Sequence, residues 1–162
     1  MLCLNKENRG NSMRIHAISI SDTKGVRKDN VARAVLRPEH GIVSDAHAGE
    51  GHRQVSLLAR ESIDKMVERG VDVSPGDFAE NITTEGIDLT ALPVGYRMRL
   101  GKEVLVEVTQ IGKECHDRCA IYYQAGDCVM PREGIFVKVI TGGTISTGDP
   151  ITQVEGDNPH ET

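Results

Sequence analysis

A two-residue alternation of polar and apolar side chains recurs along this chain, whereas the three-to-four-residue period of an amphipathic helix occurs once. The first pattern belongs to strands with one face buried, the second to a helix lying on a sheet. Strand-like stretches fall at residues 14–20, 31–36, 81–84, 96–100, 104–111, 136–140 and 150–154. Aromatic residues make up only 3% of the chain, and there is no Trp. The core must therefore be built from Val, Ile and Leu, which suits strands, and 17 glycines supply the turns between them.

The helical period covers Leu58, Ala59, Ser62, Ile63, Met66 and Val67 on one face. Arg60, Glu61, Asp64, Lys65, Glu68 and Arg69 lie on the other, with Gly70 just past the end. Glu61 and Lys65 have the spacing of an exposed ion pair. Gly101-Lys102 suits a tight hairpin, and Gly142-Gly143 and Gly148-Asp149 read as turns. The expected fold is β-rich α+β: a barrel or closed sheet with one main amphipathic helix and short helical segments. Residues 1–12 read as a flexible leader, 13–155 as one domain and 156–162 as a flexible tail.

A formal net charge of −5 argues against nucleic-acid binding, which needs a basic face to neutralise phosphates. No apolar run approaches the roughly 20 residues of a membrane span, and no secretory signal is visible, so a cytoplasmic location is expected. Of four cysteines, Cys3 lies in the polar leader, while Cys115, Cys119 and Cys128 fall within fourteen residues. Such a cluster in a cytosolic chain suggests catalysis or metal binding rather than structural disulfides.

Cys115 follows the strand ending near Ile111, in the polar run Lys113-Glu114-Cys115-His116-Asp117-Arg118-Cys119. Lys113, His116 and Arg118 favour a thiolate there, and Glu114 opposes it. Cys119 and Cys128 are possible second thiols, either for resolving a disulfide or persulfide or, with Cys115 and His116, for a metal site of weak zinc-type spacing. Three further loops carry ligand-type residues. Asp45 and His47 lie in a Gly- and His-rich loop that continues through His52, Arg53 and Gln54; Asp77 and Asn81 flank a turn; and Arg132 offers an anion clamp. Taken alone, the loop carrying Asp45 and His47 reads more simply as a surface loop whose polar groups cap turns, and Asp77 and Asn81 as side chains that satisfy backbone groups.

Taken in order, Ser44-Asp45-Ala46-His47-Ala48-Gly49, Arg53-Gln54-Val55-Ser56-Leu57-Leu58, Gly76-Asp77-Phe78-Ala79-Glu80-Asn81-Ile82-Thr83 and Gly112-Lys113-Glu114-Cys115 resemble the MOSC domain, named for the molybdenum cofactor sulfurase C-terminal region. The closing Thr141-Gly142-Gly143-Thr144-Ile145-Ser146-Thr147-Gly148-Asp149 resembles the family's ending, and Glu114 stands where the family often has proline. The resemblance implies a MOSC-type β-barrel in a stand-alone, small bacterial-type member. It also implies that Cys115 carries sulfur or ligates molybdenum, and that Asp45, His47, Arg53, Gln54 and Asn81 bind the cofactor; Arg132, read from its own loop, joins them as a cofactor-binding candidate.

The function expected on that basis is a sulfur carrier or sulfurtransferase in molybdenum-cofactor metabolism, with a persulfide on Cys115 and molybdopterin as ligand or substrate. A cysteine desulfurase or other sulfur donor would load it, and a molybdoenzyme or cofactor-synthesis protein would receive the sulfur. The chain is too short for pyridoxal-phosphate chemistry of its own. Two alternatives stand beside it: a cofactor-binding module with Cys115 as molybdenum ligand and no sulfur transfer, and a zinc- or iron-binding structural domain.

Overall fold

The computed structural model describes residues 13–23, 28–46, 48–51, 53–112 and 133–154. In chain order these form β1 (Arg14–Ile20), β2 (Asp29–Val31), β3 (Arg33–Arg37), β4 (Gly41–Ile42), β5 (Val55–Ala59), α1 (Arg60–Glu68) and β6 (Ile82–Glu85). A 3₁₀ turn at Leu89–Ala91 precedes β7 (Arg97–Leu100), β8 (Val104–Ile111), β9 (Ile135–Thr141), β10 (Gly143–Ser146) and β11 (Ile151–Gln153). The strands build an eight-stranded sheet in the order β11-β7-β8-β9-β5-β6-β1-β2 and a three-stranded sheet in the order β10-β3-β4. All pairs in the large sheet are antiparallel except β5–β6. That parallel pair needs a crossover, and α1 provides it.

The two sheets share one core. Ala34, Leu36, Ile42 and Ile145 of the small sheet join Ile15, Leu57, Ile82, Val106 and Val137 of the large one in a single buried cluster. On the opposite face of the large sheet, Leu58 and Phe136 pack with Ile63 and Met66 of α1 and with Val71, Val73 and Phe78. β5 is thus covered on both faces, and all five of its residues are buried.

The β-rich α+β class holds, but the large sheet is not a closed barrel. Its two ends approach at an isolated bridge, Arg14 to Pro150, with Ile15 N–H donating to the Asp149 carbonyl and Ile151 N–H to the Met13 carbonyl, each at 2.8 Å. β11 is three residues long, and Pro150 has no N–H with which to carry a ladder onward. The edges therefore touch without zipping together.

Local departures have similar causes. Leu58 and Ala59 belong to β5, because parallel pairing with Thr83 and Thr84 of β6 claims them before the helix starts, and Val67 is exposed. Glu61 and Lys65 do not pair with each other: Glu61 Oε2 accepts from Gly86 N–H at 3.0 Å, and Lys65 Nζ lies 2.8 Å from Glu133 Oε2. Arg60 and Asp64, at 3.7 Å, form the i,i+4 pair instead. Gly70 does end the helix, at φ +89°, with its N–H on the Val67 carbonyl and that of Val71 on Met66, a Schellman arrangement. Gly143, expected in a turn, opens β10. The Gly142-Gly143 pair carries the chain from one sheet to the other, where a Cβ on Gly142 would stand 2.6 Å from the Leu36 carbonyl oxygen.

Candidate functional site

The Asp45 loop is held from beneath. Asp45 Oδ1 accepts from Lys28 Nζ at 2.8 Å and from Ser21 N–H at 3.1 Å, with side-chain exposures of 0% for Lys28 and 1% for Asp45. Burial works to raise the Asp45 pKa, but the hydrogen bonds from Lys28, Ser21 and Asn81 and the Lys28 charge prevail, and the carboxyl sits below its ordinary 3.8. The carboxylate is therefore ionised and fully paired at neutral pH. Ser44, just before it, holds a left-handed φ of +79°, which sets the bend of the loop.

Asn81 stands at the entry to β6 and joins three elements. Its Oδ1 accepts from Ser56 N–H at 3.0 Å and lies 3.2 Å from Ser56 Oγ, and its Nδ2 donates to the Ser19 carbonyl at 3.2 Å. Beside it Glu80 is fully buried, accepting from the N–H groups of Gly76 and Phe78 and from Thr83 Oγ1 at 2.9, 3.2 and 2.8 Å. Desolvation outweighs those bonds and holds the Glu80 pKa above its ordinary 4.5. Asp77 accepts from Ser74 N–H at 2.9 Å, the backbone-satisfying role an Asx residue takes at a turn.

A second group surrounds the chain leading to Cys115. Gln54 is buried, its Oε1 accepting from Val139 N–H at 2.9 Å and its Nε2 donating to the Gly51 carbonyl at 3.0 Å. Arg53 is exposed, its guanidinium 5.2 Å above the Phe136 ring and its Nε donating to Gln110 Oε1 at 3.0 Å. Gln110 Nε2 in turn donates to the Gly112 carbonyl at 2.8 Å, and Gly112 N–H donates to the Gly134 carbonyl at 2.6 Å. The chain thus leaves β8 and enters β9 through one clamped point, to which Arg53 is tied by Gln110. Just after the return, Glu133 meets Ser62 Oγ at 2.5 Å and Lys65 at 2.8 Å, on the wall of a cleft of about 660 Å³ between α1 and residues 86–90.

Of the residues singled out by sequence, the structure brings Asp45 and Asn81 together and places Arg53 and Gln54 on adjoining chain at the start of β5. His47, Cys115, Cys119, Cys128 and Arg132 lie outside the described residues. Among the described residues, no group of three or more His, Cys, Asp or Glu side chains is placed to hold a metal ion. Sequence reasoning missed Lys28, Glu80 and Gln110. Glu80 and Gln110 sit inside or beside noted motifs, but Lys28 follows a turn signal and nothing local marks it as buried.

The sequence profile of the MOSC domain matches residues 44–152, more than half of the chain. The chain belongs to the MOSC domain family. That family is associated with molybdenum-cofactor metabolism. Three solved structures agree with this MOSC fold. The YuaD protein of Bacillus subtilis superposes with a TM-score of 0.72 at 20% identity, covering 86% of this chain and 94% of its own. YiiM from Geobacillus stearothermophilus gives 0.67 at 20%, covering 88% and 75%, and YiiM from Escherichia coli gives 0.62 at 21%, covering 88% and 70%. No curated protein gives a significant match. No helix among the described residues is long and apolar enough to cross a membrane.

Proposed function

We propose that this MOSC domain carries sulfane sulfur on Cys115 in molybdenum-cofactor metabolism. The observation that supports this most is the clamp at Gly112 and Gly134, which roots the Cys115-bearing chain on two long strands beside a fixed cation, Arg53. A thiol meant to be loaded and discharged repeatedly benefits from a rigid root, and its sequence neighbours Lys113, His116 and Arg118 favour the thiolate. In the loading step, the Cys115 thiolate attacks the terminal sulfur of a donor persulfide, such as that of a cysteine desulfurase. The new S–S bond forms as the donor S–S bond breaks, the donor leaves as a thiolate, and no net oxidation occurs.

Among the described candidate residues, Asp45, Gln54 and Asn81 have polar atoms engaged within the fold, while Arg53 keeps its guanidinium at the surface. Arg53 is thus the described residue fitted to meet an anionic group of a pterin phosphate, with His47 and Arg132 as further candidates. Asp45, Gln54 and Asn81 act by holding the surrounding loops. The test is intact-mass analysis after incubation with a cysteine desulfurase and cysteine. Wild type is expected to gain one sulfur, removable by a thiol reductant, and Cys115→Ser none. A wild-type chain that never gains sulfur sinks the carrier reading; if it instead purifies with molybdenum and pterin that Cys115→Ser lacks, the domain is a cofactor-binding module.

A further inference from the structure

The outer face of β7, β8 and β9 carries an ordered run of charge. Arg97, Glu107 and Lys138 stand opposite one another across the three strands. Arg97 Nε donates to Glu107 Oε1 at 2.9 Å, and Lys138 Nζ lies 3.7 Å from Glu107 Oε2. Alternation puts their neighbours Met98, Val106, Val137 and Val139 into the core and Arg99 on the same outer face as Arg97. Arg53 extends the run, because the ring it covers, Phe136, lies two residues before Lys138. With strands ~4.8 Å apart, the three-strand platform is about 10 Å wide, and four cations on it surround one carboxylate.

This concentration of positive charge contrasts with a chain whose net charge is −5. We propose that the β7–β8–β9 face docks an acidic surface of a partner protein. The cations are spread over three strands of a sheet face, and that geometry fits a broad protein surface better than a small ligand. The net charge of −5 disfavours long, densely charged polymers such as nucleic acid and extended anionic membranes, whereas a short acidic segment can pair with the local cations at close range. A protein with a local acidic patch meets the cations at close range, where the charge pairing fixes its orientation. The proposal stands on this face alone and does not depend on the chemistry at Cys115.

The experiment measures binding of a fluorescent polyglutamate peptide to the full chain by polarisation at low salt, with heparin and phosphatidylserine vesicles as comparison probes. Arg97→Glu with Lys138→Glu is expected to weaken peptide binding by about tenfold or more. Glu107→Gln, which removes the compensating carboxylate, is expected to strengthen it several-fold, a gain that misfolding cannot produce. Arg33→Glu with Arg37→Glu, an exposed pair on β3, is expected to leave binding unchanged. The proposal is overturned if the β3 pair weakens binding as much, if Glu107→Gln has no effect, or if heparin or vesicles bind more tightly than the peptide. Should the double Glu variant not fold, Arg97→Gln with Lys138→Gln takes its place.

Discussion

Lys28 and Asp45 meet 2.8 Å apart with both side chains sealed from solvent, so the loop leading to His47 rests on a buried ion pair rather than on hydrophobic packing. Removing one partner leaves an uncompensated buried charge, which costs about 3–5 kcal/mol. Lys28→Met is therefore expected to lower unfolding free energy by that amount in urea titrations at neutral pH. Lys28→Met combined with Asp45→Leu is expected to recover part of the loss. The folded Asp45 pKa is depressed, so the pair's stabilisation is present above 3.8 and fades as pH falls through the lower folded value. The gap between wild type and Lys28→Met should narrow in acid.

Glu80 works with the opposite sign. Its folded pKa lies above the ordinary 4.5, so the folded protein holds that proton more tightly than the unfolded chain does. Below 4.5 the group is protonated in both states and carries no penalty. As pH rises from 4.5 through the raised folded value, stability is lost. Glu80→Gln is neutral throughout and is expected to gain on wild type across that window in unfolding titrations. Parallel pH profiles for the two proteins would show that Glu80 titrates normally.

Much of the strand framework is legible in sequence because alternation directly reports one buried face. Residues 14–20 and 104–111 emerge as β1 and β8 with the read boundaries, and Gly70 ends α1 as its position suggests. The sheet order is not legible, since β5 lies between β6 and β9, and β9 is some seventy-five residues downstream of it. Local periodicity says nothing about such pairing. Nor does it reveal why Leu58 and Ala59 are strand: both are apolar at helical spacing, and only their neighbour β6 decides. At the site, Asp45 and Asn81 stand out as polar residues in turn-like loops. Lys28 does not, because a lysine is read as exposed until its buried partner is known.

Two glycines with left-handed backbone separate close packing from simple strain. Gly76 has φ +97°, and a Cβ there would lie 2.4 Å from the Lys28 carbonyl oxygen, a backbone atom that also accepts no easy shift, because Lys28 N–H donates to the Gly76 carbonyl. Gly70 has φ +89° and open space around the added Cβ. Gly70→Ala is expected to cost ~1–2 kcal/mol, the penalty of the conformation alone. Gly76→Ala adds the clash and is expected to exceed that clearly in thermal unfolding, with the Lys28–Asp45 region displaced in amide spectra. Equal losses for the two would mean that the 76–28 contact is soft.

Asn81→Asp tests whether the site depends on the amide itself, because shape is preserved while chemistry changes. The carboxylate still accepts from Ser56 N–H, but the donor to the Ser19 carbonyl disappears, and a second negative charge is buried beside Asp45. A buried acceptor without its donor costs about 1–3 kcal/mol, and like-charge repulsion adds to it. The new carboxyl, desolvated and next to Asp45, has its folded pKa raised. The variant's deficit is therefore smallest in acid, where the group is neutral in both states, and grows as pH rises above the ordinary aspartate value. Urea unfolding of wild type and Asn81→Asp between mildly acidic and neutral pH checks this. A deficit independent of pH would place the whole loss in the missing Ser19 hydrogen bond and none in the charge beside Asp45.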